Sequence, residues 1–559
     1  MHPDGITVPS GSNVWQDHSA DTFRYLTRFA LVCALAAMAV MTWTRNINWD
    51  EFYFLSHVHA HLDGRLDRPL QTVFVHAFGW LSEFSANEVD QIAMARLVML
   101  GFFGATCLSL HRIAAALADQ TAADIAVLAF ITSGFAIAHG ASFRADPMAA
   151  GLLMCALALM MISRMGPVQI ILAAVLCAFA LLVTIKSALY LPVFIGMLVW
   201  RWDDRRLVMR CLVAAVLALA LAAVLFFWHA SGITAVAGAG AQENIGDAAR
   251  VTLGGNGVLP RWPEVSAWLL LSAGAVIFIV VGLKTAPGNR MRIVLVLFAF
   301  PFLSVLFYRN AFPYFFPFAV PALMVAVAVG AQSLRRGLVW KLALVLMLAS
   351  GAIQTQRAFT EGNAAQRATI AEVHRIFPGP IPYIDQNGMM SRFERVGFFM
   401  STWGIANYRA AGKPVFADLI ARNHPPLLLA NRAELYAAMR PDASTGGVLG
   451  LLPEDAQVLR QAYVHHAGAI WLAGQVVTLT GGTASAQMPF AGSYRVETDG
   501  PVMINQRPVM SGDVLALTAD PIDVSGPAGA KLRLIWNTDA APLQIQLPET
   551  GLYAGFWRL

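Results

Sequence analysis

The chain has 559 residues, 57% of them hydrophobic and 13% charged, with a net charge of +5. Soluble domains carry about 25% charged residues, so this composition excludes an ordinary soluble protein and points to the membrane. The positive balance is too small to imply nucleic-acid binding, and the arginines fall in short loops, where they report orientation.

Residues 1–23 are polar with Pro and Gly and are expected to be unstructured. The first apolar span is expected at about 25–44, uncleaved, because its polar lead is long for a signal peptide and further spans follow. Later spans are expected at about 92–110, 123–140, 148–163, 168–185, 187–200, 209–229, 266–284, 292–308, 313–331 and 339–356. The sequence therefore predicts a polytopic α-helical membrane protein of about eleven spans. Arg24 and Arg28, His111 and Arg112, Arg164, Arg201 to Arg210, Lys284 to Arg292, and Arg335 to Lys341 all fall on one side by alternation, which is expected to be the cytoplasm. The opposite, outward set comprises 45–91, 141–147, the turn at Lys186, 230–265, 309–312 and everything after Arg357.

This divides the chain into a tail (1–24), a transmembrane domain (25–357) with a long first outward loop (45–91), and an outward region without further spans. In that loop, 50–62 and 70–82 read as helices lying in the interface. Residues 358–486 mix helical pattern (363–377, 454–465) with short strands (381–385, 470–473). From 487 to 559, short alternating runs separated by Gly, Pro and Asp predict a β-sandwich. The five cysteines lie in or beside apolar segments without metal-ligand spacing, so they read as core residues.

Unusual polar residues gather in the outward set. Asp50 and Glu51 follow the first span, Arg144 and Asp146 lie in SFRADP, Lys186 interrupts LVTIKSALYLP, and Tyr308, Arg309 and Tyr314 lie in FYRNAFPYFFP. Acids and bases at one membrane face are costly without a task. They suit the head group of an anionic lipid: Lys186 and Arg309 to hold a lipid phosphate as it leaves, Asp50 to deprotonate an acceptor hydroxyl, Glu51 or Asp146 to orient the acceptor, tune Asp50 or bind a divalent cation. A single in-line displacement would invert the anomeric carbon. His57 and His61 share a helical face and could hold a metal, but ordinary interfacial histidines are the plainer reading. The Gly-rich stretch GAGAQENIG (238–246) follows a span rather than a strand and reads as a linker or substrate loop.

With WDE (49–51), ARLVMLGFFG (95–104), FRADP (143–147), TIKSALYLP (184–192) and YRNAFPYFFP (308–317), the chain resembles the GT-C superfamily of polyprenyl-phosphate-sugar-dependent glycosyltransferases. The nearest likeness is to its bacterial aminoarabinose transferase and protein O-mannosyltransferase branch. The resemblance implies that Asp50 is the base, Lys186 the phosphate ligand and Asp146 the second-loop acid. It also implies a bacterial inner membrane, a periplasmic active face and C-terminal domain, a polyprenyl-phosphate-linked sugar as donor, and a lipid A, glycan or protein acceptor. The text departs from the family at DRPLQTVFVH (67–76), where a His-Pro-Pro type motif is common, and at Ser187–Ala188, where Gly-Pro often follows the lysine. The rival readings are a flippase of lipid-linked sugars, an O-antigen polymerase or ligase, and a membrane anchor presenting a carbohydrate-binding domain. No internal repeat favours the first, and 230–265 is poor in the arginines expected of the second. The third would leave the first-loop acids without a role.

Overall fold

The computed structural model describes residues 12–233, 257–334, 337–440, 450–538 and 546–555. The Gly-rich stretch 238–246 lies outside them. The chain is a multi-pass membrane protein. Among the described residues, five helices are long and apolar enough to cross a bilayer: Arg24–Thr44, Glu88–Leu117, Ala145–Ile162, Arg205–Ser231 and Leu338–Thr360. Two bent pairs raise this to as many as 7, and Gln120–Thr132, Pro167–Val183 and Ile185–Trp200 are apolar but shorter. Length and composition thus stop short of the eleven spans expected, because several expected spans are broken.

The breaks have physical causes. The span expected at 266–284 turns by 89° between Trp262–Leu271 and Ala273–Thr285. The span expected at 123–140 stops at Thr132 and resumes as the single turn Ala136–His139. The amides freed there are taken up by neighbours: Gly134 N–H donates to Ser272 Oγ at 2.9 Å and Phe135 N–H to Gln354 Oε1 at 3.0 Å. Backbone can leave a helix at this depth only where such partners exist. Close packing holds the broken segments. A Cβ on Gly282 would lie 2.1 Å from the Ala326 carbonyl oxygen, and one on Gly330 2.0 Å from that of Phe278. Only glycine lets these backbones meet.

The first helix runs from Ser12 to Thr44, so residues 12–23 are helical rather than unstructured. Extending an existing helix is far easier than nucleating one. At one end of the bundle, Asp124 is buried against Arg24, Arg28 and His111. At the other end the first loop forms Trp49–Leu62 and the single turns Val75–Phe78 and Leu81–Phe84, close to the segments expected. None of the described cysteines forms a disulfide.

The region after 360 packs onto that loop. Its helix Ala364–Ile376 is tied down by His374 on Glu88 at 2.9 Å, by Arg367 on Asp90, and by Gln366, which bonds both the Ile47 N–H and the Ile47 carbonyl. The strands are β1 (Pro382–Ile384), β2 (Glu394–Arg395), β3 (Leu427–Leu429), β4 (Tyr463–Ala467), β5 (Ile470–Thr478), β6 (Thr483–Gln487), β7 (Gly492–Thr498), β8 (Val502–Ile504), β9 (Arg507–Val509), β10 (Val514–Leu517), β11 (Pro521–Ser525) and β12 (Lys531–Trp536). Eight form one sheet ordered β10-β7-β12-β5-β3-β1-β2, with β4 also paired to β5. The remaining four form a second sheet, β6-β11-β8-β9. The strands after 487 are antiparallel as expected, yet β12 pairs with β5, so the regions expected on either side of that residue share one sheet.

Candidate active site

Each acid in the site owes its position to a helix start. Asn48 caps Trp49–Leu62: its side chain accepts from the Asp50 N–H at 3.0 Å, while the Glu51 carboxylate accepts from the Asn48 N–H at 3.0 Å. This reciprocal pair closes the first turn and fixes both acids. Asp146 stands likewise in the first turn of Ala145–Ile162, and Arg144 is its N-cap residue. A carboxylate there is favoured by the helix dipole. Lys186 rides on a 3-10 turn, Ile185–Tyr190, between two apolar helices. Ser187 Oγ donates to the Ala180 carbonyl at 2.6 Å and Tyr190 Oη to that of Phe318 at 2.6 Å, which pins the turn.

These segments bring five expected residues together. Arg144 donates to Asp50 and also faces Asp146 at 3.7 Å, and Lys186 donates to Asp146. The Arg144 guanidinium lies 3.5 Å from the centre of the Tyr314 ring. Burial opposes its charge, but Asp50, Tyr314 and Asp146 outweigh that and hold it more firmly protonated than usual. Asp50 is the most open of the four charged groups, its side chain 15% exposed against 2% for Asp146. The cluster holds two carboxylates and two cations, so it is formally neutral before any ligand enters.

Glu51 has a different place. It is fully buried and bonds Arg96 twice, at 2.8 and 2.6 Å, and accepts the Phe143 N–H at 2.8 Å. Burial works against its charge, but Arg96 and Arg45 with the Phe143 amide bring it down to about 2. Arg96 also donates to the carbonyls of Arg45 at 2.9 Å and Asn46 at 2.9 Å. Glu51 thus joins the first loop, the Glu88–Leu117 helix and the 142–144 turn that presents Arg144. Arg96 was missed in the sequence, although an arginine within the apolar part of a helix is itself a signal.

Arg309 does not join Lys186. Its guanidinium lies 4.6 Å from the ring centre of Trp403, on the helix Thr402–Ala411. Tyr308 is buried beside Phe315, with ring centres 4.8 Å apart, and hydrogen-bonds Asn310. His57 and His61 part company: His57 packs on Tyr53 at 4.3 Å, whereas His61 meets His76 at 4.5 Å. Burial and Arg68 lower the His57 imidazole to about 3, so it is neutral. Among the described residues no group of three or more His, Cys, Asp or Glu could hold a metal ion. The first loop is also clasped from the far end of the chain. Asn387 donates to the Trp49 carbonyl, Asn46 bonds the Leu552 carbonyl at 3.1 Å and the Ala554 N–H at 2.8 Å, and Tyr553 donates to Asn387 at 3.0 Å. Beside Trp49 lies a pocket of about 360 Å³, lined in part by Asn431, Arg432, Tyr436 and Glu549.

The fold is similar to those of two solved structures. The structure of ArnT from Cupriavidus metallidurans bound to undecaprenyl phosphate is similar over 76% of this chain and 98% of its own, with 15% identity and a TM-score of 0.53. The Archaeoglobus fulgidus oligosaccharyltransferase, tethered through a disulfide to an acceptor peptide containing the NVT sequon, is similar over 94% of this chain and 98% of its own, with 10% identity and a TM-score of 0.50. No family model and no curated protein sequence matches the chain.

Proposed function

We propose that the protein is a glycosyltransferase that moves a sugar from a polyprenyl-phosphate carrier onto a cell-envelope acceptor at the outward face of a bacterial inner membrane, with inversion. The observation that carries this reading is the Asp50–Arg144–Asp146–Lys186 cluster, assembled from three separate segments of the chain. One similar structure holds undecaprenyl phosphate and another an acceptor peptide, which supports a lipid-linked donor and leaves the acceptor's class to experiment.

In this reading Lys186 and Arg144 receive the donor phosphate. Each is balanced by a carboxylate at rest, so phosphate enters by sharing those cations. The incoming anion draws Arg144 from Asp50, and the released carboxylate takes the acceptor proton. The C1–O bond to the phosphate breaks as the acceptor oxygen bonds to C1 from the opposite face. The leaving phosphate keeps the bonding pair against Lys186. Asp146 holds Lys186 and Arg144 in register. Glu51 acts through Arg96 as a positioning residue, and Tyr314 braces Arg144. The acceptor approaches over Trp49, from the pocket beside the outward domain. The residues after 360 would then be periplasmic.

The test is donor consumption by the purified full-length protein in nanodiscs with envelope extract as acceptor. Wild type should release polyprenyl phosphate, and Asp50→Asn and Lys186→Ala, though folded, should not. Movement of intact donor across a bilayer without consumption would replace this reading with the flippase.

A further inference from the structure

The peptide unit that joins Trp49 to Asp50 is gripped at both ends. Its N–H donates to the Asn48 side chain at 3.0 Å, and its carbonyl accepts from Asn387 Nδ2. The first grip belongs to the loop that carries Asp50. The second comes from the outward region, 338 residues further along the chain. A peptide unit is planar, so fixing its N–H and its carbonyl fixes the plane from which the Asp50 side chain projects.

Asn387 is held in its turn. It lies fully buried just after β1. Asp385 builds that bend by accepting the amides of Asn387 at 2.9 Å, Gly388 at 2.8 Å and Met389 at 2.7 Å. Tyr553 sets the side-chain amide: its hydroxyl donates to Asn387 Oδ1 at 3.0 Å, which turns Nδ2 to the Trp49 carbonyl. Asn431 closes the circuit, donating to Tyr553 Oη at 3.2 Å and to Asp385 at 3.2 Å. The Tyr553 ring meets Trp49 and Phe52 edge-on, with centres 6.2 and 6.0 Å away. The bend also presses on the helix of Asp50. Ser391 donates to the Phe52 carbonyl at 3.3 Å, and a Cβ on Gly388 would lie 3.0 Å from that of Ser56. Buried polar groups that satisfy one another in this way are rigid.

We infer that Asn387, oriented by Tyr553, is a positioning residue for Asp50. The inference rests on the transferase reading. In that reaction the donor phosphate draws Arg144 from Asp50, so the carboxylate loses the ion pair that aims it just as it must meet the acceptor hydroxyl. The gripped peptide plane keeps its direction.

Two variants test this. Tyr553→Phe keeps the ring and removes the hydroxyl that sets Asn387, and Asn387→Ala removes the grip itself. Each is measured in full-length protein in nanodiscs, alone and combined with Asp50→Asn, with a radiolabelled polyprenyl-phosphate-linked sugar and envelope extract. Single-turnover transfer should fall about tenfold in Tyr553→Phe, the loss of one hydrogen bond, and about a hundredfold in Asn387→Ala, while donor affinity stays within about twofold of wild type. Neither variant should slow transfer further in the Asp50→Asn background, because a residue that acts through Asp50 then has nothing left to position. Losses that multiply with that of Asp50→Asn, or that fall on donor affinity, make the circuit a structural clasp and overturn the proposal. If Asn387→Ala does not fold, Tyr553→Phe decides by the same comparison. Unchanged transfer in the variants beside an active wild type overturns the positioning role alone. A wild type that consumes no lipid-linked sugar overturns the transferase reading and this role with it.

Discussion

Glu51 and Arg96 share two hydrogen bonds, of 2.8 and 2.6 Å, with both side chains shut away from solvent. The pair decides where Asp50 stands, because Glu51 closes the helix start on which Asp50 is the next residue. It also reaches the Phe143 amide, one residue before Arg144. A single buried ion pair therefore sets the spacing of the candidate base and its cationic partner.

Removing one member should be costly. Arg96→Met leaves the Glu51 carboxylate without its counterion in a closed site, and a loss of about 3–5 kcal/mol follows. Thermal unfolding in detergent measures it. Asp90→Asn, which removes a half-exposed pair with Arg367, should cost about 1 kcal/mol or less.

The same pair predicts a pH dependence. The Glu51 carboxyl is at about 2 when folded, against an ordinary value of 4.5. A depressed folded value means that the charged form supports the fold. This support is complete above the ordinary value and is lost as pH falls through the folded one. The stability difference between wild type and Glu51→Gln should be flat from pH 8 to about 5 and shrink below about 4.5. A difference that does not change with pH would show that the charge on Glu51 is not what stabilises the loop.

Asp146 and Lys186 should separate binding from chemistry. Lys186→Ala removes a cation facing the phosphate, so donor affinity should fall by about 1.5–3 kcal/mol. Asp146→Asn frees Lys186 from its carboxylate. Donor should then bind at least as tightly, while kcat falls because Arg144 and Lys186 are no longer held in register. Equilibrium binding of polyprenyl phosphate beside single-turnover rates distinguishes the two.

Glycine contacts carry the broken spans. Gly282→Ala places a methyl group 2.1 Å from the Ala326 carbonyl oxygen, so the helices must part, at about 1–3 kcal/mol. Gly101→Ala, with nothing within 4 Å of its Cβ position, should be neutral or slightly stabilising. Melting temperatures of the two variants in detergent check this.

Much of the architecture was legible in the residues. Apolar runs and loop arginines marked the bundle and its basic end, and Asp50, Arg144, Asp146, Lys186 and Tyr314 do converge. Less visible were features set by distant partners. Composition cannot show a helix broken at Ser133–Phe135, because the acceptors that permit it come from Ser272 and Gln354. Nor can adjacency in sequence separate Asp50 from Glu51, which differ by what the next helix offers: Arg144 to one, Arg96 to the other. Arg309 lies five residues from Tyr314, yet a tryptophan almost a hundred residues on captures it.

The central claim is that Asp50 takes the acceptor proton in a sugar transfer from polyprenyl phosphate. The most direct measurement is the pre-steady-state rate of sugar transfer from a radiolabelled polyprenyl-phosphate donor in nanodiscs, for wild type and Asp50→Asn, with donor affinity measured on the same samples. The variant should bind donor as well as wild type or better and transfer at a rate lower by about 10²–10⁴-fold. Equal transfer rates would contradict the claim, as would a loss confined to donor affinity.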